Sequence, residues 1–249
     1  EIFIGHVTNG VHQPTWTANQ WKELWAEITG SENFDQTDRA QWEKIYKVDD
    51  KRIYEVKKQL KKLLFTNIRK RLQTDMIDKH VSPRTLLNIS THLDDKALTI
   101  GFARRFATYK RAALLFRDLD RLAKIVNNPD KPVQFIYAGK AHPHDGGGQD
   151  LIRRVYEVSQ MPQFAGKVIF LENYDIELAK YMVQGVDIWL NTPTRPMEAS
   201  GTSGEKAVMN GTIHFSVLDG WWVEGYRAYA GWALPKKKTF TNQELQDDV

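Results

Sequence analysis

A stretch of small, hydroxyl-bearing and charged residues at 198–211 carries the side chains best suited to chemistry in this chain. It lies between two apolar runs, 187–191 and 213–217, that are typical of buried β-strands. The glycines and hydroxyl residues at 200–204 allow the backbone to approach a ligand closely, and the first N–H groups of a following helix attract anions. Lys206 then falls in the first turns of that helix. It is predicted to contact phosphate or to form a Schiff base, with a solvated lysine after a plain strand-to-helix turn as the alternative.

The spacing of Glu198 and Lys206 favours an amine that binds a cofactor. Many nucleotide-sugar glycosyltransferases with two Rossmann-like domains have glutamates at both positions of such a pair, and the second glutamate holds the donor ribose. Lysine accepts no hydrogen bonds, so Lys206 cannot hold a ribose diol in that way. Residues 198–206 closely resemble the α-glucan phosphorylases, in which the matching lysine carries pyridoxal 5′-phosphate. The resemblance implies the same cofactor at Lys206.

A second group of charged residues follows the apolar run 98–102. Arg104, Arg105 and Lys110 lie where a buried strand is predicted to end, and such cations bind phosphate or stand as surface bases. The segment resembles the phosphorylase motif in which an arginine and a lysine hold the substrate phosphate and the cofactor phosphate. The resemblance implies catalytic roles for Arg105 and Lys110, and a contact on the cofactor side for Arg104.

Further site residues follow from the same resemblance. Tyr174, in a Glu-Asn-Tyr motif, is expected to line the cofactor pocket, and Asp175 stands where animal-type members have arginine. Asn9, in a Thr-Asn-Gly turn, matches an asparagine that contacts the bound sugar. The residues expected to bind the cofactor are Lys206, Lys110, Arg104, Tyr174, Thr202 and Ser203. The residues expected to bind the glucan are Asn9, Glu198, Ala199, Ser200 and Gly201.

The glycine-rich turn at 138–148 contains His142, His144 and Asp145, a cluster that could suggest a metal ion. No further ligand pattern of recognised spacing accompanies it. We therefore predict a structural turn that borders the cleft, and no metal site.

Composition limits the classes of protein that this sequence can belong to. The 249 residues are 41% hydrophobic, include no cysteine and carry a formal net charge of +4. The lack of cysteine indicates a reducing compartment, and we expect the cytoplasm. No apolar run approaches the ~20 residues of a membrane span, and the mild positive charge suits an anionic ligand without indicating nucleic acid. The first residues resemble the middle of a strand, so we expect the chain to be cut from a longer protein.

The first third of the chain is predicted to be helical. Thr17 and Gln20 form a capping box for a helix over 17–28, and residues 37–47 form a second helix. A long amphipathic helix is predicted over 52–72. Its apolar positions are Ile53, Val56, Leu60, Leu63, Leu64, Ile68 and Leu72, and its basic positions are Lys57, Lys58, Lys61, Lys62, Arg69, Lys70 and Arg71. We interpret the basic face as solvated rather than as a surface for an acidic polymer.

From residue 97 onward, short apolar runs alternate with helical patterns, which predicts a parallel sheet covered on both faces. Strands are predicted at 98–102, 133–137, 168–171, 187–191 and 213–217, with helices near 109–127, 148–159, 175–184 and 202–210. A strand is also expected at 2–6 and a loop at 81–93. The fold class is α/β: a Rossmann-like sheet that forms one half of a two-domain GT-B-type glycosyltransferase, with a helical N-terminal segment. The predicted division is 1–93 for the helical lead-in, 94–235 for the Rossmann-like domain and 236–249 for a polar tail.

The resemblance implies reversible phosphorolysis of an α-1,4-glucan by inorganic phosphate, giving glucose 1-phosphate. It also implies that the N-terminal half of a parent enzyme completes the cleft, and it allows a homo-oligomer. Two other functions remain open. One is a nucleotide-sugar-dependent glucosyltransferase similar to glycogen synthase, and the other is an inactive glucan-binding fragment.

Overall fold

The computed structural model describes residues 7–79, 93–234 and 242–247 of the chain. The strand expected at 2–6 and nearly all of the loop expected at 81–93 lie outside these residues, as does most of the polar tail. Among the described helices, none is both long and apolar enough to cross a membrane.

The described residues form a six-stranded sheet in the order β3-β2-β1-β4-β5-β6. The strands are β1 Leu98–Ala103, β2 Val133–Ala138, β3 Val168–Leu171, β4 Ile188–Asn191, β5 Ile213–Val217 and β6 Gly231–Leu234. Every pairing is parallel. This confirms the predicted α/β, Rossmann-like fold, and it places the reversal of strand order between β1 and β4, where such sheets bind ligands. The sixth strand was missed because it is short and its Trp232 is 48% exposed.

The helices in the described residues differ in part from the prediction. They are α1 Gln13–Trp16, α2 Asn19–Thr29, α3 Arg39–Glu43, α4 Asp50–Lys79, α5 Leu119–Val126, α6 Gly146–Gln160, α7 Ile176–Gly185, α8 Thr202–Val208, α9 Trp222–Gly225 and α10 Gln243–Asp247. The helix expected near 109–127 is wrong over its first half. Arg111 there has φ +49°, a left-handed conformation that interrupts a helix, and only short 3-10 turns precede α5.

The predicted capping box at Thr17 and Gln20 is wrong, because Ala18 occupies the N-cap of α2 and makes no side-chain cap bond. A distant amide satisfies the backbone instead. Asn210 accepts from the Ala18 N–H at 2.8 Å and donates to the Trp16 carbonyl oxygen at 2.9 Å. The start of the helical segment is therefore fixed by the loop that follows α8.

The two faces of the sheet bury two separate cores. On one face Phe102 and Tyr137 pack with residues of α5 and α6. On the other face Ala103 and Ile136 pack with residues of α4, α7 and α8. Neighbouring residues of β1 and β2 thus point to opposite faces, as the two-residue period of a strand requires.

The basic face of α4 is solvated only in part. Lys58, Lys62 and Lys70 are exposed, whereas the other four cations turn inward, which corrects the sequence interpretation at those four positions. Lys57 donates to three backbone carbonyls and to the Thr212 hydroxyl, all within 3.2 Å. Lys61 pairs with Asp187 at 2.6 Å and donates to the Ala97 carbonyl at 3.1 Å. Burial lowers the pKa of Lys57 to about 7, with the Asp187 carboxylate acting in the opposite direction. These lysines connect the helix to the sheet and its loops through buried hydrogen bonds and an ion pair.

The other two inward cations of α4 reach loops of the domain. Arg69 donates to the Leu93 carbonyl at 3.2 Å, and Arg71 donates to both carboxylate oxygens of Asp175 at 2.9 Å. Leu63, which was expected on the apolar face, is 41% exposed. The packed face of α4 is therefore rotated from the predicted one, so that lysine and arginine stems share it with leucines.

Candidate functional site

A cluster of two cations and one carboxylate forms where β1 and β4 end. Arg104 directly follows β1, Lys110 ends a short 3-10 turn, and Glu198 lies in the loop between β4 and α8. The Glu198 carboxylate accepts from Arg104 Nη2 at 2.7 Å and from Lys110 Nζ at 2.6 and 2.7 Å. The predicted residues Arg104, Lys110 and Glu198 are thus brought together from positions far apart in sequence.

This cluster is buried and its hydrogen bonds are incomplete. The side chains of Arg104, Lys110 and Glu198 are 10%, 7% and 7% exposed. Arg104 Nε and Nη1 are buried, and neither has a partner among the described residues. Buried donors without acceptors are costly, and two cations that share one carboxylate leave an excess of positive charge. The arrangement fits an additional anion.

Lys110 is held in place by its neighbour Arg111. Arg111 is buried and donates to the carbonyls of Thr192 and Pro193, the residues that follow β4, at 2.8 and 3.2 Å. Its third contact is an ion pair of 2.6 Å with Asp247 of α10. The turn that carries Lys110 is therefore fixed to the end of β4, next to the cluster.

Glu198 is positioned by the turn after β5. Its N–H donates to Asp219 Oδ2 at 2.9 Å. Gly220 has φ +56°, and a Cβ there would lie 2.4 Å from the Ser200 carbonyl oxygen, so the two loops touch only because this residue is glycine. Sequence reasoning missed Asp219 as a site residue. The signal was the Asp-Gly pair that directly follows a predicted strand.

Lys206 lies on α8 with its amine over an aromatic ring. Its Nζ is 3.8 Å from the ring centroid of Trp16. Burial lowers the pKa of Lys206, and the neighbouring Glu205 carboxylate opposes that shift. Asn210 donates to the carbonyls of both Trp16 and Lys206, at 2.9 and 2.8 Å, so it fixes the ring beside the lysine. Sequence reasoning also missed Asn210.

The glycine-rich loop meets the beginning of the described chain. The Asn9 N–H donates to the Ser200 hydroxyl at 3.2 Å, which brings together two residues expected to bind sugar. Gly201 has φ +79° and precedes the first residue of α8, Thr202. The Ser203 hydroxyl accepts from Trp189 Nε1 of β4 at 3.2 Å, and this bond ties α8 to the sheet.

The remaining predicted residues differ in their surroundings. Arg105 is exposed and makes no hydrogen bond or ion pair with the described part of the chain, whereas Ala199 is exposed without polar atoms in its side chain. Burial raises the pKa of Tyr174 to about 12, with the nearby Arg104 acting against this shift. Asp175 caps α7 by accepting from Leu178 N–H at 2.8 Å and pairs with Arg71 of α4.

The tryptophan pair after β5 packs against His214 of that strand. Trp222 is 1% exposed, and Trp221 stacks on His214 with ring centroids 5.4 Å apart. Burial lowers the pKa of His214 to about 3, and the Arg104 guanidinium adds to that shift. The neutral imidazole of His214 therefore lies near Arg104, and the indole of Trp221 stacks on that imidazole.

The histidine-containing turn plays a structural part. Asp145 caps α6 by accepting from the Gly148 N–H at 2.9 Å, and the His144 N–H donates to His142 Nδ1 at 3.2 Å. A Cβ at Gly139 would lie 2.1 Å from the Arg104 carbonyl oxygen, so glycine lets the turn pass directly beside the cluster. Within the residues described, no group of three histidine, aspartate or glutamate side chains could hold a metal ion.

The fold and the cluster together define a Rossmann-like domain with a cation-rich site at its topological switch point, a location typical of domains that bind phosphorylated ligands. Comparison with known proteins makes the assignment specific. The model of the family described as carbohydrate phosphorylase matches residues 4–230, and the chain belongs to that family.

Several named relatives are similar along almost all of the chain. A glycogen phosphorylase of Aquifex aeolicus is 46% identical over 93% of this chain, and a maltodextrin phosphorylase of Thermococcus litoralis is 46% identical over 94% of it. A glycogen phosphorylase of Mycobacterium tuberculosis is 40% identical over the full chain. The chain spans only 28% to 34% of the length of these relatives.

Proposed function

We propose that this chain is the cofactor-binding part of an α-glucan phosphorylase, which transfers a terminal glucose of an α-1,4-glucan to inorganic phosphate. The supporting observation is the buried cluster of Arg104, Lys110 and Glu198, in which cations outnumber the carboxylate. Two guanidinium nitrogens of Arg104 find no acceptor in the part of the chain that the structure describes. Phosphate oxygens are acceptors of the charge and geometry that these donors require. The names of the relatives, glycogen and maltodextrin phosphorylase, support the glucan as the second substrate.

The cofactor that fits this site is pyridoxal 5′-phosphate. Lys206 offers a primary amine whose pKa burial lowers, which favours the neutral form that condenses with an aldehyde. Trp16 packs against that amine and provides an aromatic wall for a pyridine ring. Arg104 and Lys110 would take the cofactor phosphate, with Thr202 and Ser203 at the start of α8 and Tyr174 completing the pocket. When bound, the cofactor supplies a phosphate that exchanges a proton near neutral pH.

The residues of the chain have separate tasks in this proposal. Arg105, exposed and without a partner in the described residues, binds the substrate phosphate together with Lys110. Fixed cations are needed there because two phosphate groups that approach each other repel. Glu198, Ala199, Ser200, Gly201 and Asn9 face the glucose that is transferred. The contact between Asn9 and Ser200 supports a single sugar subsite.

Two alternatives are weaker. A nucleotide-sugar glucosyltransferase needs an acceptor for the ribose diol, and Lys206 accepts no hydrogen bonds. An inactive glucan-binding fragment would not need a buried cation cluster.

The N-terminal half of the parent protein would supply the rest of the glucan groove, and we place the parent, which could be a homo-oligomer, in the cytoplasm.

The cofactor proposal is tested by adding pyridoxal 5′-phosphate to the purified chain, reducing with borohydride and mapping the adduct by mass spectrometry. We expect a Schiff-base absorbance band and one reduced adduct on Lys206. Lys206→Arg, which keeps the charge but cannot form the adduct, is the matched control. An adduct spread over surface lysines, or the same yield in Lys206→Arg, would refute the cofactor assignment.

A further inference from the structure

The last described helix, α10, connects two loops that reach the cation cluster. One is the short turn that carries Lys110, and the other runs from Thr192 to Glu198. None of the five residues of α10 is buried, and Leu245 is 51% exposed. An apolar core therefore does not hold this helix in place, and the polar contacts of its side chains do.

The two loops also touch each other directly. The Thr194 N–H donates to the Tyr109 carbonyl at 2.6 Å, and the Thr192 hydroxyl donates to the Lys110 carbonyl at 3.2 Å. Each loop carries one member of the cluster. A shift of one loop against the other therefore changes the distance between Lys110 and Glu198.

The side chains of α10 contact both loops. The Asp247 carboxylate pairs with Arg111 Nη1 at 2.6 Å, and the Arg111 side chain is only 4% exposed. On the other loop, Gln246 Oε1 accepts from the Arg195 N–H at 3.1 Å. A buried guanidinium needs an anionic partner to compensate for the water it loses. Asp247 supplies that charge from outside the turn, so the position of the turn depends on the position of α10.

We propose that Asp247 is a positioning residue through which α10 sets the affinity of the cluster for phosphate. Asp247 holds Arg111, and the adjacent Lys110 is thereby kept with its amine at the Glu198 carboxylate. Without Asp247 the turn keeps its two cations but loses part of the fixed geometry that phosphate recognition needs. The inference rests on the proposed function, because the phosphate in question is that of the cofactor.

The direction of the expected effect separates positioning from a simple charge effect. Asp247 is negative and pairs with the residue next to Lys110, so its loss should by charge alone strengthen the binding of an anion. Positioning predicts the opposite, since a displaced Lys110 binds phosphate less well. Glu244 of the same helix is exposed, so Glu244→Ala is the matched control for the loss of one negative charge.

The test compares pyridoxal 5′-phosphate with pyridoxal, which has the same aldehyde and no phosphate. Borohydride reduction and mass spectrometry give the concentration of each compound that labels half of Lys206. We expect Asp247→Ala to weaken labelling by pyridoxal 5′-phosphate about fivefold, because Lys110 is displaced rather than removed, and to leave labelling by pyridoxal unchanged. Glu244→Ala should change neither. Weaker labelling by both compounds in Asp247→Ala would indicate a general structural loss and overturn the proposal, as would unchanged or stronger labelling by pyridoxal 5′-phosphate.

A second variant covers the case in which Asp247→Ala does not fold. Gln246→Ala removes the contact with the Arg195 N–H from a half-buried position and changes no charge. We expect a urea midpoint close to that of the wild type, labelling by pyridoxal 5′-phosphate about twofold weaker, and unchanged labelling by pyridoxal. Wild-type labelling by both compounds in Gln246→Ala would overturn the proposal if this variant alone folds.

The wild type tests the proposed function separately. Equal labelling of Lys206 by the two compounds in the wild type would refute the phosphate site, and this inference with it. A preference of the wild type for pyridoxal 5′-phosphate that persists in full in Asp247→Ala would refute only the role of Asp247.

Discussion

Two regions of this domain bury cations, and they differ in how completely protein groups satisfy the hydrogen bonds and charge of those cations. Along α4, Lys57 and Lys61 are surrounded by carbonyl oxygens and by Asp187, all supplied by the protein itself. At the ends of β1 and β4, Arg104 has two buried nitrogens without partners in the described residues, and Arg104 and Lys110 share a single carboxylate. Burial alone therefore does not mark a functional cation in this fold. We propose that the Arg104 and Lys110 cluster is functional because its cations are also incompletely compensated.

The difference has a physical basis. A buried charge is tolerated when protein groups compensate for the water it loses. A structural cation needs no further partner once they do. A binding site must leave part of that compensation to the ligand. The cluster at Glu198 meets this condition, because its carboxylate balances only one of the two positive charges.

The largest expected effect comes from neutralising that carboxylate. Glu198→Gln leaves Arg104 and Lys110 buried side by side, so we expect the free energy of unfolding to fall by about 3 to 5 kcal/mol in urea titrations. Added inorganic phosphate should restore more stability in Glu198→Gln than in the wild type, because the anion replaces the lost charge. Equal stabilisation of both proteins by phosphate would show that the anion does not bind at this cluster.

The corresponding change along α4 is Lys61→Met. Its control is Lys58→Met, which replaces an exposed lysine of the same helix. Loss of the Lys61 ion pair leaves Asp187, whose side chain is 25% exposed, without its direct ion-pair partner, and we expect a loss of about 2 to 3 kcal/mol. Lys58→Met should change the stability by less than about 0.5 kcal/mol. Phosphate should not rescue Lys61→Met beyond the wild-type effect, and a rescue would show that this lysine also binds anions.

The stability of the chain in acid should depend on His214, which lies near the Arg104 guanidinium. The pKa of His214 is lowered to about 3, so the folded chain resists protonation of this imidazole while the unfolded chain takes up the proton near pH 6.5. Stability is therefore lost as the pH falls below about 6.5, and by pH 5 the loss from this group is about 2 kcal/mol. Urea titrations at pH 7 and pH 5 should show a smaller acid loss in His214→Asn than in the wild type. The same loss in both proteins would exclude His214 as its source.

The smallest effect is expected at Asp175, which caps α7 and pairs with Arg71 of α4. Asp175→Asn keeps a side chain able to cap α7 and removes the charge that pairs with Arg71. The cost should be about 1 kcal/mol or less, because the Asp175 side chain is 46% exposed. Thermal unfolding checks this value, and a much larger loss would place Asp175 among the essential contacts of α4.

The sequence predicted the sheet well, because short apolar runs between helical patterns have few other interpretations. It also predicted the glycine-rich loop and the cations after β1, since residue type and strand ends locate them. It could not predict that Asn210 replaces the capping box at Ala18, or that Asp219 holds the Glu198 backbone. Those contacts join residues far apart in the chain, and no local pattern announces them.

Four cations of α4 were misinterpreted as solvated for a related reason. Lysines at helical spacing have the same pattern whether their ammonium groups meet water or backbone carbonyls. The deciding information lies in the partner, such as Asp187 for Lys61 or Asp175 for Arg71. Amphipathic periodicity predicts which positions form the apolar stripe of the helix. It does not predict which groups the long charged side chains contact.

Whether Arg104 and Lys110 bind phosphate is tested by the affinity of the chain for pyridoxal 5′-phosphate, measured by titration in the wild type, Lys110→Met and Lys58→Met. Lys110→Met removes one cation of the cluster and leaves Glu198 paired with Arg104. We expect binding to be at least about tenfold weaker in Lys110→Met, the usual value of one charge-assisted hydrogen bond, and unchanged in Lys58→Met. Equal affinity in all three proteins would contradict the assignment of the incompletely satisfied cations as the phosphate site.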